Sequence, residues 1–338
     1  MRAVVLAGVG DLRLEEVPDP SLREPTDAIV RVTRTGLCGA DLFPFHGHTP
    51  GFENGTILGH EYVGVVTEVG QGVTTLRRGD RVVSTSTISC GRCPHCRAGR
   101  PSQCLERALF GYSGVYQRLD GGQAELVRVP FAERSLFIVP DAVDDDAAVF
   151  VADMLPTGYN AVKRADIEQG DVVAVLGCGT VGLMAILFAT RVARRVIAVD
   201  GVPARRALAA SLGAEAVAPE DAADAVAAAT GGIGADAVIE AAGAAAALTA
   251  SLTLVRGLGT VSVVGAHFEP DFPLNNALMF EKEMTLRVTW GHPFKDRERI
   301  LSMIAEGTID PTVAVTHRFE LAEAQEAYRV FDGREAVK

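Results

Sequence analysis

The hydrophobic rhythm of the chain changes near residue 153. Before it, apolar residues fall in short β-type runs at 28–32, 63–69 and 81–85, separated by turn pairs such as Gly79-Asp80 and Gly121-Gly122. That pattern predicts an irregular, mostly antiparallel β domain. After residue 153 strands and helices alternate. Residues 172–176 are continuously apolar and end on Gly177, as in a strand buried on both faces. A helix is expected over 181–188, a strand over 196–199, and a further helix opening at Pro203, a favoured first position. Strands are expected at 235–239, 261–264 and 285–288, with helices between them. The alanine runs at 222–229 and 241–247 read as helix filler. This alternation implies an α/β architecture with a doubly wound parallel sheet. Two amphipathic helices close the chain, at 295–306 and 321–331, in a segment expected to return to the first domain. The organisation expected is 1–154, then 155–290, then 291–338 as the return.

Bulk properties narrow the function. A length of 338 residues suits two domains, and 48% hydrophobic residues supply large cores. The formal charge of −11 argues against a nucleic-acid or anionic-membrane surface. The N-terminal run from Met1 to Leu6 is too short for a signal peptide, meeting Gly8 and Asp11 at once. No apolar run reaches membrane-spanning length without a Gly, Pro or charge. The expectation is a cytoplasmic protein.

Two local motifs carry chemistry. Gly177-Cys178-Gly179-Thr180-Val181-Gly182 matches GxGxxG between a predicted strand and a predicted helix. Glycines there let a backbone approach a pyrophosphate, and the helix start supplies N–H donors. About twenty residues on, Asp200 can accept from both adenosine ribose hydroxyls and would repel a 2′-phosphate. NAD is therefore favoured over NADP, although Arg205 and Arg206 stand close enough to soften that preference. The second motif is Cys90-x2-Cys93-x2-Cys96-x7-Cys104. Four thiolates at this spacing suit a closed tetrahedral zinc site, with Gly91 and Gly99 permitting the sharp turns. An iron–sulfur cluster is formally open to four cysteines, but nothing else in the chain points to one-electron transfer.

Other chemistry-bearing residues are dispersed. Cys38, His60 with Glu61, and Asp153 each read alone as ordinary: a buried cysteine, a satisfied histidine, a helix-capping aspartate. The segment Gly59-His60-Glu61-x2-Gly64-x5-Gly70-x2-Val73, however, resembles the signature of zinc-containing medium-chain alcohol dehydrogenases. The cysteine knuckle resembles their structural zinc lobe, here about 88–106, and the glycine motif with Asp200 resembles their cofactor domain. All occur in the family's order, over essentially the whole chain. Residues 153–158 and 121–125 look like a bacterial branch with formaldehyde-dehydrogenase-like members, in which the third zinc ligand is aspartate.

The resemblance implies a GroES-like catalytic domain and a Rossmann domain that binds NAD. It implies a catalytic zinc on Cys38, His60 and Asp153, with Glu61 as an adjacent carboxylate able to swing in. Asp41 would accept from His60 and orient it. Thr157 would pack near the nicotinamide, and Gly265, ending a strand, would lie along its crevice. With the knuckle this makes two zinc ions per chain, and the family suggests a homodimer or homotetramer. One thiolate, one imidazole and one carboxylate balance Zn²⁺, which polarises a carbonyl or lowers an alcohol's pKa while the cofactor carries the hydride.

The chain departs from the family at the proton path. Ser or Thr normally stands two residues after the first ligand cysteine, and often His three further on. Here those positions are Ala40 and Phe43, which transfer no protons, leaving His46 and His48 as nearby substitutes through water. Phe43, Phe45, Tyr112 and Trp290 are candidates for an apolar substrate pocket or for ordinary core. The expected activity is hydride transfer between NAD(H) and a small alcohol or carbonyl. The rivals are reduction of an imine or activated C=C bond, and a non-catalytic NAD-binding protein.

Overall fold

A computed structural model describes residues 1–267, 274–291 and 294–338. The chain divides into two compact units, Met1–Asp153 with Pro293–Lys338, and Met154–His292.

The first unit is built on antiparallel β structure. Its larger sheet has five strands in the order Leu126–Val129, Ala28–Thr35, Tyr62–Val69, Arg81–Ser84, Leu136–Ile138. Alternation explains the pairing: Ala28, Val30, Val66, Val82, Val127 and Val129 turn into one core with Phe110 and Leu136. Burying each of the valine and leucine side chains contributes roughly 1.5–3 kcal/mol against solvent exposure. A second sheet pairs Arg2–Gly8 with Asp11–Glu16 and Thr56–Ile57. The C-terminal segment joins this core through Tyr328, which packs with Val4, Leu6, Leu12 and Leu58. Its hydroxyl donates to Gln123 Oε1 at 2.9 Å. The two closing helices are Arg297–Ala305 and Ala324–Asp332, the latter preceded by a 3₁₀ turn at Leu321–Glu323.

The second unit holds a six-stranded parallel sheet. Its order is Glu215–Val217, Arg195–Val199, Val172–Leu176, Ala235–Glu240, Val255–Val263, Thr285–Val288. The strand Val172–Leu176 is buried along its whole length, which its unbroken apolar run requires. The helix Thr180–Ala189 beside it is buried from Gly182 to Ala189 and is apolar all round. The helix Met154–Arg164 packs closely on it; a Cβ on Gly158 would lie 2.7 Å from Ala185 N.

Two expectations are corrected here. The alanine run at 241–247 is not one helix: residues 241–244 form the turn after the strand, and the helix begins at Ala245. Ala242 N and Gly243 N donate to Glu240 Oε1 at 2.9 and 2.8 Å, and that side-chain capture outcompetes alanine's helical preference. Gly265 does not end a strand; the strand stops at Val263 and Gly265 lies two residues beyond. Its amide donates to the Glu240 carbonyl at 2.9 Å, and a Cβ there would meet Glu240 Oε2 and Gly243.

Among the described residues no helix is long and apolar enough to cross a membrane.

Candidate active site and metal centres

Three segments of the first unit bring together residues distant in sequence. Cys38 caps the helix Gly39–Phe45 in an extended conformation, its Sγ accepting from Ala40 N at 3.5 Å. Asp41 closes the cap by accepting from Cys38 N at 2.9 Å through Oδ2. The other oxygen of Asp41 lies 3.1 Å from His60 Nδ1. One buried carboxylate thus fixes both the cysteine backbone and the imidazole. His60 and Glu61 lead into the strand Tyr62–Val69, with 1% and 0% exposure. Asp153 follows a buried 3₁₀ turn, Val149–Ala152.

The ligand atoms of Cys38, His60, Glu61 and Asp153 all lie within 4.8 Å of one another. His60 Nε2 is 3.6 Å from Asp153 Oδ2 and 3.8 Å from Glu61 Oε1. Among the described residues neither His60 Nε2 nor Glu61 Oε1 has a hydrogen-bond partner, although both are buried. Two orphaned polar atoms facing one point are costly unless a cation lies between them. The charges agree. Glu61 Oε2 is paired with the Lys338 ammonium, which also donates to Leu37 O at 2.9 Å. That pairing leaves the Cys38 and Asp153 negative charges for a divalent ion. Burial pushes the Cys38 thiol up, opposed by His60, and pushes Glu61 up, opposed by Lys338. Burial weighs against charging His60, yet Asp41 and Cys38 outweigh it and raise its pKa well above the ordinary value.

The second group is Cys90, Cys93, Cys96 and Cys104, again within 4.8 Å. Backbone amides point at the sulfurs: Cys90 N to Cys104 Sγ at 3.2 Å, Cys93 N to Cys90 Sγ at 3.4 Å, Cys96 N to Cys93 Sγ at 3.5 Å. Amides of Cys96 and Leu105 lower the Cys93 thiol to about 6. Gly91 and Gly99 adopt positive φ, 73° and 72°, as the turns demand. Four free sulfurs with N–H support fit a closed tetrahedral zinc. His95 sits in the short helix Pro94–Arg97 between them.

In the second unit, Gly177 follows the central strand at φ 95°, and a Cβ would lie 2.7 Å from Ala242 N. A Cβ on Gly182 would strike the Gly177 carbonyl, so this glycine lets the helix start against the strand. Gly179 differs: among the described residues nothing lies within 4 Å of its Cβ position, which leaves the backbone open to a close ligand. Gly179 caps the helix beginning Thr180-Val181. This is a cradle fit for a pyrophosphate. Asp200 Oδ2 accepts from Cys178 N at 2.7 Å and Oδ1 from Val202 N at 2.8 Å. Arg206 donates to Asp200 O at 2.8 Å, while Arg205 Nε is buried without a partner among the described residues. Thr157 lies, buried, in the helix that packs against Thr180–Ala189.

The residues expected to replace the relay are placed less centrally. His46 Nε2 pairs with Asp332 Oδ1 at 3.0 Å, each side chain 40% exposed, and His48 is exposed beside it. Phe43, Phe45 and Tyr112 belong to the first unit and Trp290 to the second. The Tyr112 hydroxyl donates to the Ala40 carbonyl. Sequence reasoning misses Lys338, Arg297 and Glu240. The partners of Lys338 and Arg297 are remote in the chain, while Glu240 captures amides two and three residues on in a run whose alanines signal helix.

Residues 24–141 match the Alcohol dehydrogenase GroES-like domain, and 180–306 match Zinc-binding dehydrogenase. An alcohol dehydrogenase from Thermus sp. ATN1 superposes with a TM-score of 0.95 at 39% identity, covering 100% of this chain and 98% of that one. A Mycobacterium tuberculosis protein, "Probable zinc-binding alcohol dehydrogenase", is 39% identical over 97% of this chain and 84% of its own length. A zinc-binding dehydrogenase structure from Sinorhizobium meliloti 1021, bound to NADP, has a TM-score of 0.85 at 32% identity, covering 96% and 94%. The chain belongs to the zinc-type medium-chain alcohol dehydrogenase family, with a GroES-like domain and a Rossmann-like domain, and is an oxidoreductase of that family.

Proposed function

We propose that the protein transfers a hydride between NAD(H) and a small alcohol or carbonyl compound, using one catalytic and one structural zinc ion. The observation that carries this reading is the convergence of Cys38, His60, Glu61 and Asp153, with His60 Nε2 and Glu61 Oε1 both lacking hydrogen-bond partners among the described residues. Cys38, His60 and Asp153 would hold the catalytic ion, and the aspartate ligand would put the chain in the bacterial branch described above. Glu61, restrained by Lys338, stands beside them as a reserve carboxylate. Asp41 holds the His60 ring and fixes its tautomer. Zinc bound there would supply Lewis acidity towards the substrate oxygen, and the nicotinamide would supply or accept the hydride. Cys90, Cys93, Cys96 and Cys104 would hold the second ion. Gly177, Gly179, Thr180, Val181 and Gly182 would cradle the pyrophosphate. Asp200 would take the ribose hydroxyls, with Arg205 at the adenosine end and Thr157 and Gly265 towards the nicotinamide.

NAD(H) is favoured because the Asp200 carboxylate is held in place by two amides and repels a 2′-phosphate. A cytoplasmic homodimer or homotetramer accompanies this reading. A second reading, reduction of an imine or activated C=C bond, is favoured by Ala40 and Phe43 at the usual relay positions. The test is NADH consumption against aldehydes, ketones, cyclic imines and enones, with His60→Ala as control. Turnover of carbonyls that His60→Ala abolishes is expected. Imine or enone turnover alone selects the second reading. No turnover with tight NADH binding would mean a non-catalytic cofactor-binding protein.

A further inference from the structure

Among the described residues Arg297 is the largest fully buried side chain, at 1% exposure. It opens the helix Arg297–Ala305, far in sequence from the carbonyls it binds. Its guanidinium reaches three of them. Nη1 donates to Val151 O and to Ser84 O, the latter at 3.1 Å, and Nη2 donates to Ala152 O at 2.6 Å. The centre of the Phe137 ring lies 5.7 Å from the guanidinium carbon.

Those carbonyls belong to two segments that deliver metal donors. Val151 and Ala152 end the 3₁₀ turn whose next residue is Asp153. Ser84 ends a strand paired with Tyr62–Val69, and its Oγ accepts from Tyr62 N at 3.2 Å, directly after His60-Glu61. Ala152 O also accepts from Ser86 N at 3.1 Å, so the arginine completes a clamp between the two segments. A planar fork that binds several carbonyls at once fixes their relative position in a way a single-headed ammonium cannot. Burial weighs against the guanidinium charge, and the nearby Asp153 carboxylate favours it.

We propose that Arg297 is a positioning residue for the catalytic metal: it locks the Asp153 turn against the His60 strand so that the two donors meet. This rests on the assignment of Cys38, His60 and Asp153 as ligands. It adds a requirement that the ligand set alone does not contain, a buried cation acting on backbone rather than on metal or substrate.

The four-cysteine site in the same chain is the internal control. Zinc per chain is measured after dialysis against increasing concentrations of a mild chelator. Arg297→Met should fall from near two zinc ions to near one at about tenfold lower chelator than the unmutated protein, as altered ligand support typically costs roughly 10–100-fold in affinity. The cysteines of the knuckle should remain protected from alkylation. Arg297→Lys keeps the charge but loses the fork, and should fall between. Should Arg297→Met fail to fold, Arg297→Lys carries the test, and a curve matching the unmutated protein overturns the proposal. Unchanged retention in Arg297→Met also overturns it, as does loss of both ions together, which would mean general destabilisation. His60→Ala and Asp153→Ala separate the two layers. If either keeps both ions, the ligand assignment itself fails and the positioning role falls with it. If both lose one ion while Arg297→Met does not, only the positioning role fails.

Discussion

Asp200 is tied at both carboxylate oxygens, to Cys178 N at 2.7 Å and Val202 N at 2.8 Å. Its charge is therefore fixed beside the glycine loop. A ribose bearing hydroxyls can share that carboxylate, whereas a 2′-phosphate brings like charge into a partly buried place. Asp200→Ala should narrow the preference for NADH over NADPH by about tenfold or more, chiefly by weakening NADH, since a hydrogen bond to a charged group contributes roughly 1.5–3 kcal/mol. Equal kcat/KM for both cofactors in the unmutated protein would refute the role. At Ala40 the issue is a missing hydroxyl. The nearest substitute in sequence, His46, is paired with Asp332 at the surface, and the Tyr112 hydroxyl is committed to the Ala40 carbonyl. Positioned proton transfer contributes about 10²–10⁴-fold, so oxidation of ethanol, 2-propanol and benzyl alcohol should be slow, and Ala40→Ser should raise it. Fast oxidation without gain in the mutant, measured at several pH values and saturating NAD, counts against this.

At the scale of elements, legibility follows the range of the determining contact. The parallel strands are readable because double-sided burial forces long apolar runs, as in Val172–Leu176. The knuckle is readable because all four cysteines and both turn glycines fall within one short stretch. The turn at 241–244 is an exception to that range rule, because its deciding contact is local but set by the Glu240 side chain, whose other oxygen engages His267 at 2.9 Å. Alanine content signals helix until a carboxylate captures the amides. The convergence of Cys38, His60 and Asp153 is legible only through resemblance, since the sheet register and the 3₁₀ turn that join them leave no local pattern. Lys338 and Arg297 are illegible for the same reason. A buried cation is recognised by what surrounds it, and its surroundings lie 146 residues away for Arg297 and Val151, and 277 for Lys338 and Glu61.

The whole molecule separates its two tasks. Both candidate metal groups belong to the first unit, while the glycine loop and Asp200 belong to the second. The second unit has its own core, in which Ala174 on the central strand packs with Ile197, Val238, Leu252 and Val261. Cores that do not share residues can lose stability separately. Structural zinc binding is coupled to folding, because its thiolates are held together only while the ion bridges them. Cys93→Ser should therefore leave one zinc per chain and lower the first thermal transition by roughly 5–15 °C. NADH binding, followed by its fluorescence at room temperature, should stay within about threefold of the unmutated protein, since the glycine loop and Asp200 belong to the second unit and the knuckle to the first. His60→Ala should also leave one zinc, but with little change in thermal stability, because the ion proposed for His60 would serve chemistry rather than folding. A single zinc in the unmutated protein that Cys93→Ser leaves in place would refute the structural zinc site. Loss of NADH binding in step with the knuckle would show instead that the two units fold as one.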